Sequence, residues 1–195
     1  MIHGPLIESD ETAGGRREDH VKTIYTIGYE GADIDNVVAT LKAAGVKVLA
    51  DVRAVAVSRK KGFSKTALRS RLEREGIAYC HFVELGDPKS GREAARAGRY
   101  DVFRRIYARH LSQGDSQAAL RALAESASKA PTCLLCFERD PAVCHRSMVA
   151  SQLKNAGMRV LDLFGDSPHD YVGQSSSREG RHPRKGPAQP QPEIR

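Results

Sequence analysis

Apolar positions along this chain switch repeatedly between short continuous runs and the 3.6-residue spacing of an amphipathic helix. Val21–Ile27 is the first run and reads as a strand, broken by Gly28-Tyr29-Glu30-Gly31. Asp33 then caps a helix carried by Ile34, Val37, Val38 and Leu41 and closed by Gly45. Val46–Val52 is nearly all apolar, the pattern of a strand covered on both faces, which points to parallel pairing. Arg53–Gly62 reads as a loop, and Ser64 caps a helix through Leu68 and Leu72 that stops at Gly76. Ile77–Val83 supplies a third strand, and Gly86–Gly91 is turn chemistry. A longer insertion follows, in which Tyr100, Phe103, Ile106, Tyr107 and Leu111 recur at helical spacing as a core stripe. A helix over about Gln117–Ser128, a strand Thr132–Phe137, a helix Arg146–Asn155 and a fifth strand Met158–Leu163 complete the pattern.

Alternation of strand and helix throughout predicts an α/β fold: a single domain over 21–165 with a mostly parallel five-stranded sheet flanked by helices, Rossmann-like or flavodoxin-like, with right-handed crossovers. The flanks differ in composition. Residues 1–20 hold five acidic and two basic residues and read as an acidic disordered leader. Residues 166–195 form a disordered basic tail of Ser, Pro, Gly and Arg, too poor in apolar surface to order itself.

Charge sharpens this picture. The chain is +7 overall, residues 1–20 carry −3 and residues 170–195 carry +2, so the middle carries +8. The positive excess belongs to the folded part and favours phosphate-bearing partners, whether small molecules or nucleic acid. Of the 195 residues 40% are hydrophobic and 28% charged, and no apolar run approaches the roughly 18 residues of a membrane span. No membrane partner is expected. The leader has neither the apolar stretch of a signal peptide nor the character of a transit peptide. Four cysteines, two of them (Cys80 and Cys133) inside predicted strands, suit a reducing cytoplasm.

Candidate chemistry concentrates in Cys136-Phe137-Glu138-Arg139-Asp140-Pro141-Ala142-Val143-Cys144-His145-Arg146, between the fourth strand and the last helix. Two thiols, a carboxylate, an imidazole and a guanidinium crowd one strand-to-helix turn. A helix start there offers unpaired N–H groups and a positive dipole end, which attract anions and lower a thiol's pKa. Cys144 is the expected nucleophile and Glu138 or His145 the acid/base group. Adjacent helix side chains diverge by roughly 100°, so His145 is not automatically the base for Cys144. Cys136 could instead resolve a disulfide with Cys144.

In an open parallel sheet, ligands bind beyond the carboxyl ends of the strands. Gly28 and Tyr29 follow the first strand, Asp51 and Arg53 the second, and Cys136 the fourth, so they belong to one edge as substrate-binding candidates. Arg53 and Arg146 are expected as anion clamps, with Arg59 and Lys60 on a loop that closes over the anion. Asp51 would orient Arg53 through an ion pair. No metal is expected: Cys133 and Cys136, three apart on a strand, point to opposite faces, and neighbours such as Cys144 and His145 rarely share one ion. Phosphate-binding, dinucleotide and hydrolase-elbow motifs are missing from the sequence, and nothing in it names a cofactor.

The combination Thr26-Ile27-Gly28-Tyr29-Glu30, Asp51-Val52-Arg53, Ser58-Arg59-Lys60, Gly62-Phe63-Ser64-Lys65, Glu84-Leu85-Gly86 and Cys136-Phe137-Glu138 through Cys144-His145-Arg146 resembles the bacterial family called domain of unknown function 488. The resemblance runs from about Lys22 to Leu163. It implies an α/β fold and a shared site holding Gly28, Asp51, Arg53, Glu138, Cys144, His145 and Arg146, without attaching a substrate or reaction. That family's loop after Asp-Val-Arg usually carries prolines where this chain has Ala56 and Lys61, which implies a less rigid loop here.

Three functional classes are compatible with these residues. The leading one is an enzyme acting on a nucleotide or nucleic acid at a cationic pocket. A non-catalytic module that binds the same ligands and a redox sensor built on Cys136 and Cys144 are the others.

Overall fold

A computed structural model describes residues 22–167 and residue 170. The expected leader lies outside the described residues, as does nearly all of the expected tail. Five strands form one wholly parallel sheet: β1 (Thr23–Gly28), β2 (Val48–Asp51), β3 (Ala78–His81), β4 (Thr132–Cys136) and β5 (Arg159–Phe164), in the order β3-β2-β4-β1-β5. Six α-helices accompany them: α1 (Ile34–Ala43), α2 (Lys65–Glu73), α3 (Lys89–Arg96), α4 (Tyr100–Leu111), α5 (Gly114–Lys129) and α6 (His145–Asn155). No helix among the described residues is long and apolar enough to cross a membrane.

The two-residue period of the strands divides the core. Ile27, Leu49, Cys133, Leu135 and Leu163 face one layer made by α1 and α2, through Val37, Leu41, Leu68 and Leu72. Ile24, Ala50 and Leu134 face the other layer, made by α3 to α6 through Phe103, Tyr107, Leu123, Val149 and Leu153. Every residue of β4 is buried, as its unbroken apolar run requires of a central strand. Cys133 and Cys136 do fall on opposite sides of this strand, Cys133 packing among the α1–α2 layer.

Two details depart from the sequence reading. The insertion after Gly86 is two helices, because the chain turns through Ala97, Gly98 (φ +68°) and Arg99 between α3 and α4. Strand β4 sits between β1 and β2, an order shared with neither the Rossmann nor the flavodoxin sheet. That insertion determines where the site lies. The chain leaves β2 for α2 on one face and leaves β4 for α6 on the other, so the carboxyl ends of these adjacent strands open a crevice between their connections.

Candidate functional site

At the end of β2, Asp51 and Arg53 form a buried bidentate pair. Arg53 Nε donates to Asp51 Oδ1 at 2.8 Å and its terminal nitrogen to Oδ2 at 2.5 Å. The guanidinium also donates to the Tyr29 hydroxyl at 3.0 Å and to the Phe63 carbonyl at 2.9 Å. Tyr79 donates to the second Asp51 oxygen at 2.6 Å. Burial works against the Arg53 charge, and the bonds to Asp51 outweigh it, so its pKa lies above the ordinary value. The Asp51–Arg53 ion pair therefore holds as expected, while most of the Arg53 donors serve the protein itself.

This cluster also anchors the loop after β2. Phe63 stacks on Tyr29 with ring centroids 4.2 Å apart, and Lys60 Nζ donates to the Tyr29 carbonyl at 3.1 Å. Lys60 thus ties the loop to the end of β1 and does not line the cavity described below. The loop is fastened by these contacts without the prolines. Between the fastenings Val55, Val57 and Arg59 are exposed.

Beyond β4 the chain runs close to the end of β1. A Cβ on Gly28 would sit 1.8 Å from the Glu138 carbonyl oxygen, so only glycine permits this approach. Arg146, fully buried, braces the same segment from below. Its guanidinium donates to the Glu138 carbonyl, to the Arg139 carbonyl at 2.9 Å and to the Thr26 hydroxyl at 3.2 Å. Arg146 does not reach the cavity, and its donors hold the turn that presents Glu138.

Cys144 is the N-cap of α6, with extended backbone (φ −114°, ψ 144°), and its sulfur accepts from the Arg146 N–H at 3.5 Å. Since Cys144 stands outside the helix, the divergence expected of adjacent helical side chains does not apply. The sulfurs of Cys136 and Cys144 and a ring nitrogen of His145 all lie within 4.8 Å of one another. His145 Nε2 is 2.8 Å from the Val52 carbonyl, which can only accept, so Nε2 carries the proton. Nδ1 then faces Cys136 Sγ at 3.7 Å and Asp87 Oδ1 at 3.9 Å. Cys136 Sγ in turn donates to Glu138 Oε2 at 3.1 Å.

The electrostatics of this knot are coupled. Burial pushes the Cys136 thiol up and the Cys144 thiol well up. Burial also opposes a charge on His145, but the Cys144 sulfur, the Asp87 carboxylate and the Val52 carbonyl hold it at about 9. Glu138 lies below the usual carboxylate range: burial would raise it, and the thiols of Cys144 and Cys136 lower it further than that. Burial raises Asp87. These shifts favour the charged form of Glu138 and of His145 and keep the proton on the thiols.

A cavity of about 750 Å³ opens over it. Cys136, Glu138, His145, Asp87, Arg53 and Tyr29 line it, and Cys144 and Arg146 do not. Its opposite wall is α3, which contributes Lys89, Arg92, Glu93 and Arg96, and Arg59 joins them from the loop. Asp87 and the α3 cations escaped the sequence reading. Lys89, Arg92 and Arg96 recur at i, i+3 and i+7, a cationic stripe on one helical face that carried a usable signal. Gly86 lets this wall approach, because a Cβ there would lie 2.1 Å from the Ala54 nitrogen.

A family model described as domain of unknown function DUF488 matches residues 33–153. That is more than half of the 195 residues. The chain belongs to the DUF488 family. The DUF488 match covers β2 to β4 and the whole turn from Cys136 to Arg146, and leaves Gly28 at the end of β1 and Tyr29 after it outside. Compared with curated proteins and with solved structures, the chain matches none. The geometry of the knot therefore carries the functional argument beyond the family.

Proposed function

We propose that this protein is an enzyme acting on a phosphate-bearing substrate, a nucleotide or nucleic acid, at the cavity over Cys136. One observation carries the reading: Arg59, Lys89, Arg92 and Arg96 line the same cavity as Cys136, Glu138 and His145. Cations ring the mouth while reactive groups sit at the floor. Arg92 lies 3.7 Å from Asp87 and Lys89 lies 3.9 Å from Glu93, so part of their charge is answered, whereas Arg59 and Arg96 are exposed and can meet an anion.

The apolar surface of the cavity supports a nucleotide over a simple phosphate. Among the described residues the exposed large hydrophobics are Val55, Val57, Val83, Tyr100 and Phe137, and all but Val83 line the cavity. Aliphatic and aromatic surface beside cations suits a base attached to a phosphate.

The roles follow from position. Cys136, facing the cavity, is the nucleophile in place of Cys144, whose sulfur caps α6. Glu138 takes the Cys136 proton across the 3.1 Å hydrogen bond as the sulfur bonds to the substrate phosphorus and the bond from phosphorus to the leaving oxygen breaks. His145, held cationic, balances the charge that develops 3.7 Å away. Arg53, Asp51 and Arg146 position these groups.

A panel of nucleotides and short oligonucleotides tests the reading by thermal shift and by mass spectrometry of the products. Stabilisation beyond that of inorganic phosphate, with conversion lost in Cys136→Ser, is the expected outcome. Binding with no conversion by the wild type would leave a binding module in place of an enzyme, and no stabilisation by any of them would overturn the reading.

A further inference from the structure

The groups at the cavity floor also form a ligand set. In a tetrahedral zinc site, bond lengths of about 2.3 Å to sulfur and 2.0–2.1 Å to nitrogen put neighbouring ligand atoms roughly 3.5–3.8 Å apart. Cys136 Sγ and His145 Nδ1 already stand at 3.7 Å, and the three ligand atoms lie within 4.8 Å of one another. Small side-chain movements close the set on an ion.

The surroundings are those of a metal site. His145 Nε2–H on the Val52 carbonyl at 2.8 Å fixes the ring and leaves Nδ1 toward the sulfurs, the outer-shell bond that metal-binding imidazoles make. The Arg146 N–H on Cys144 Sγ at 3.5 Å favours that thiolate. Two carboxylates stand alongside, Glu138 Oε2 at 3.1 Å from Cys136 Sγ and Asp87 Oδ1 at 3.9 Å from His145 Nδ1. Cys136 and His145 line the cavity, which supplies an entry path and an open fourth position.

We propose that Cys136, Cys144 and His145 bind a zinc-class divalent cation, with the fourth position facing the cavity beside Glu138. Thiolate and imidazole donors select such an ion over magnesium or calcium, which prefer oxygen ligands. Binding releases the protons of both thiols and the Nδ1 proton of charged His145 to solvent and forms two metal–sulfur bonds and one metal–nitrogen bond, with no change of oxidation state. The consequence rests on the reading above: a bound ion takes up the Cys136 sulfur, so occupancy of the site switches off the nucleophile.

Cobalt(II) titrated into the reduced full-length chain provides the test, since thiolate ligation and tetrahedral geometry each leave an optical signature. The expected result is one cobalt per chain with thiolate charge-transfer bands, displaced by zinc, lost in Cys136→Ser and Cys144→Ser and retained in Cys80→Ser. Bands that are missing in the wild type, that survive Cys144→Ser, or that vanish in Cys80→Ser would overturn the proposal. Should the serine variants fail to fold, alkylation mapping of the wild type decides: zinc must shield Cys136 and Cys144 and leave Cys80 reactive. Nucleotide binding by chelator-treated protein reads the enzymatic proposal separately. Cobalt binding without a nucleotide effect sinks that reading alone, and the reverse sinks the metal site alone.

Discussion

Cys136 Sγ donates to Glu138 Oε2 across 3.1 Å, a contact set by the brace of Arg146 on the Glu138 and Arg139 carbonyls. If Glu138 accepts the thiol proton during the reaction, Glu138→Gln removes the base and keeps the shape. Turnover of any substrate identified by the nucleotide panel is expected to fall by about 10²–10⁴-fold, with substrate binding retained. An unchanged kcat would remove Glu138 from the chemistry.

Asp51 and Arg53 predict a stability effect of a different kind. Their ion pair is buried, with Arg53 5% exposed and Asp51 fully covered. Asp51→Ala leaves a buried guanidinium without its counter-charge and is expected to cost about 3–5 kcal/mol in urea unfolding. Tyr79 and Tyr29, which share the network, should report the change through their fluorescence.

Gly28 predicts a positional effect. A Cβ there meets the Glu138 carbonyl oxygen at 1.8 Å, and backbone atoms on both sides must move. Gly28→Ala is expected to cost about 1–3 kcal/mol and to displace Glu138 from Cys136. Gly114, at the start of α5 with nothing within 4 Å of its built Cβ, is the control. Gly114→Ala should stabilise by about 0.5–1 kcal/mol and leave substrate binding intact.

The arrangement around His145 predicts a pH dependence in metal-free protein. Burial opposes the charge, yet Cys144, Asp87 and the Val52 carbonyl hold the pKa at about 9, above the roughly 6.5 of an unfolded histidine. A raised folded value means stabilisation that is complete below about pH 6.5 and lost as pH rises through about 9. Cys136 and Cys144, both raised by burial, extend the loss above about 8.5, where unfolded thiols ionise. Urea midpoints measured across this range should fall with rising pH, and His145→Gln should flatten the lower part of the fall. A flat wild-type profile would show that the fold does not raise the pKa of His145.

Much of this architecture was legible from residue patterning. Thr132–Phe137 reads as a strand because it is a short apolar run, and the parallel pairing that the alternation of strand and helix predicts puts Gly28, Asp51 and Cys136 at one edge, where they stand. Arg53 and Arg146 read as anion clamps because a sequence does not reveal which carboxylate or carbonyl a guanidinium will meet; here those partners are Asp51, Phe63, Glu138 and Arg139. Whether Cys144 or Cys136 faces the cavity depends on one residue of helix register, since Cys144 as N-cap turns its sulfur back toward Arg146 N–H. The α3 wall was hidden because Gly86–Gly91 reads as turn chemistry and the helical stripe of the insertion, Tyr100 to Leu111, lies beyond it, with Phe103 and Tyr107 in the core.

The claim that the cavity leads an anion to Cys136 is tested most directly by comparing negatively charged iodoacetate with neutral iodoacetamide. The measurement is made on reduced, chelator-treated protein, with each cysteine read by peptide mass and exposed Cys80 as the internal reference. The account predicts a higher iodoacetate-to-iodoacetamide rate ratio at Cys136 than at Cys80, lowered by Lys89→Glu and by a bound nucleotide. Equal ratios at the two cysteines, unaffected by nucleotide, would contradict it.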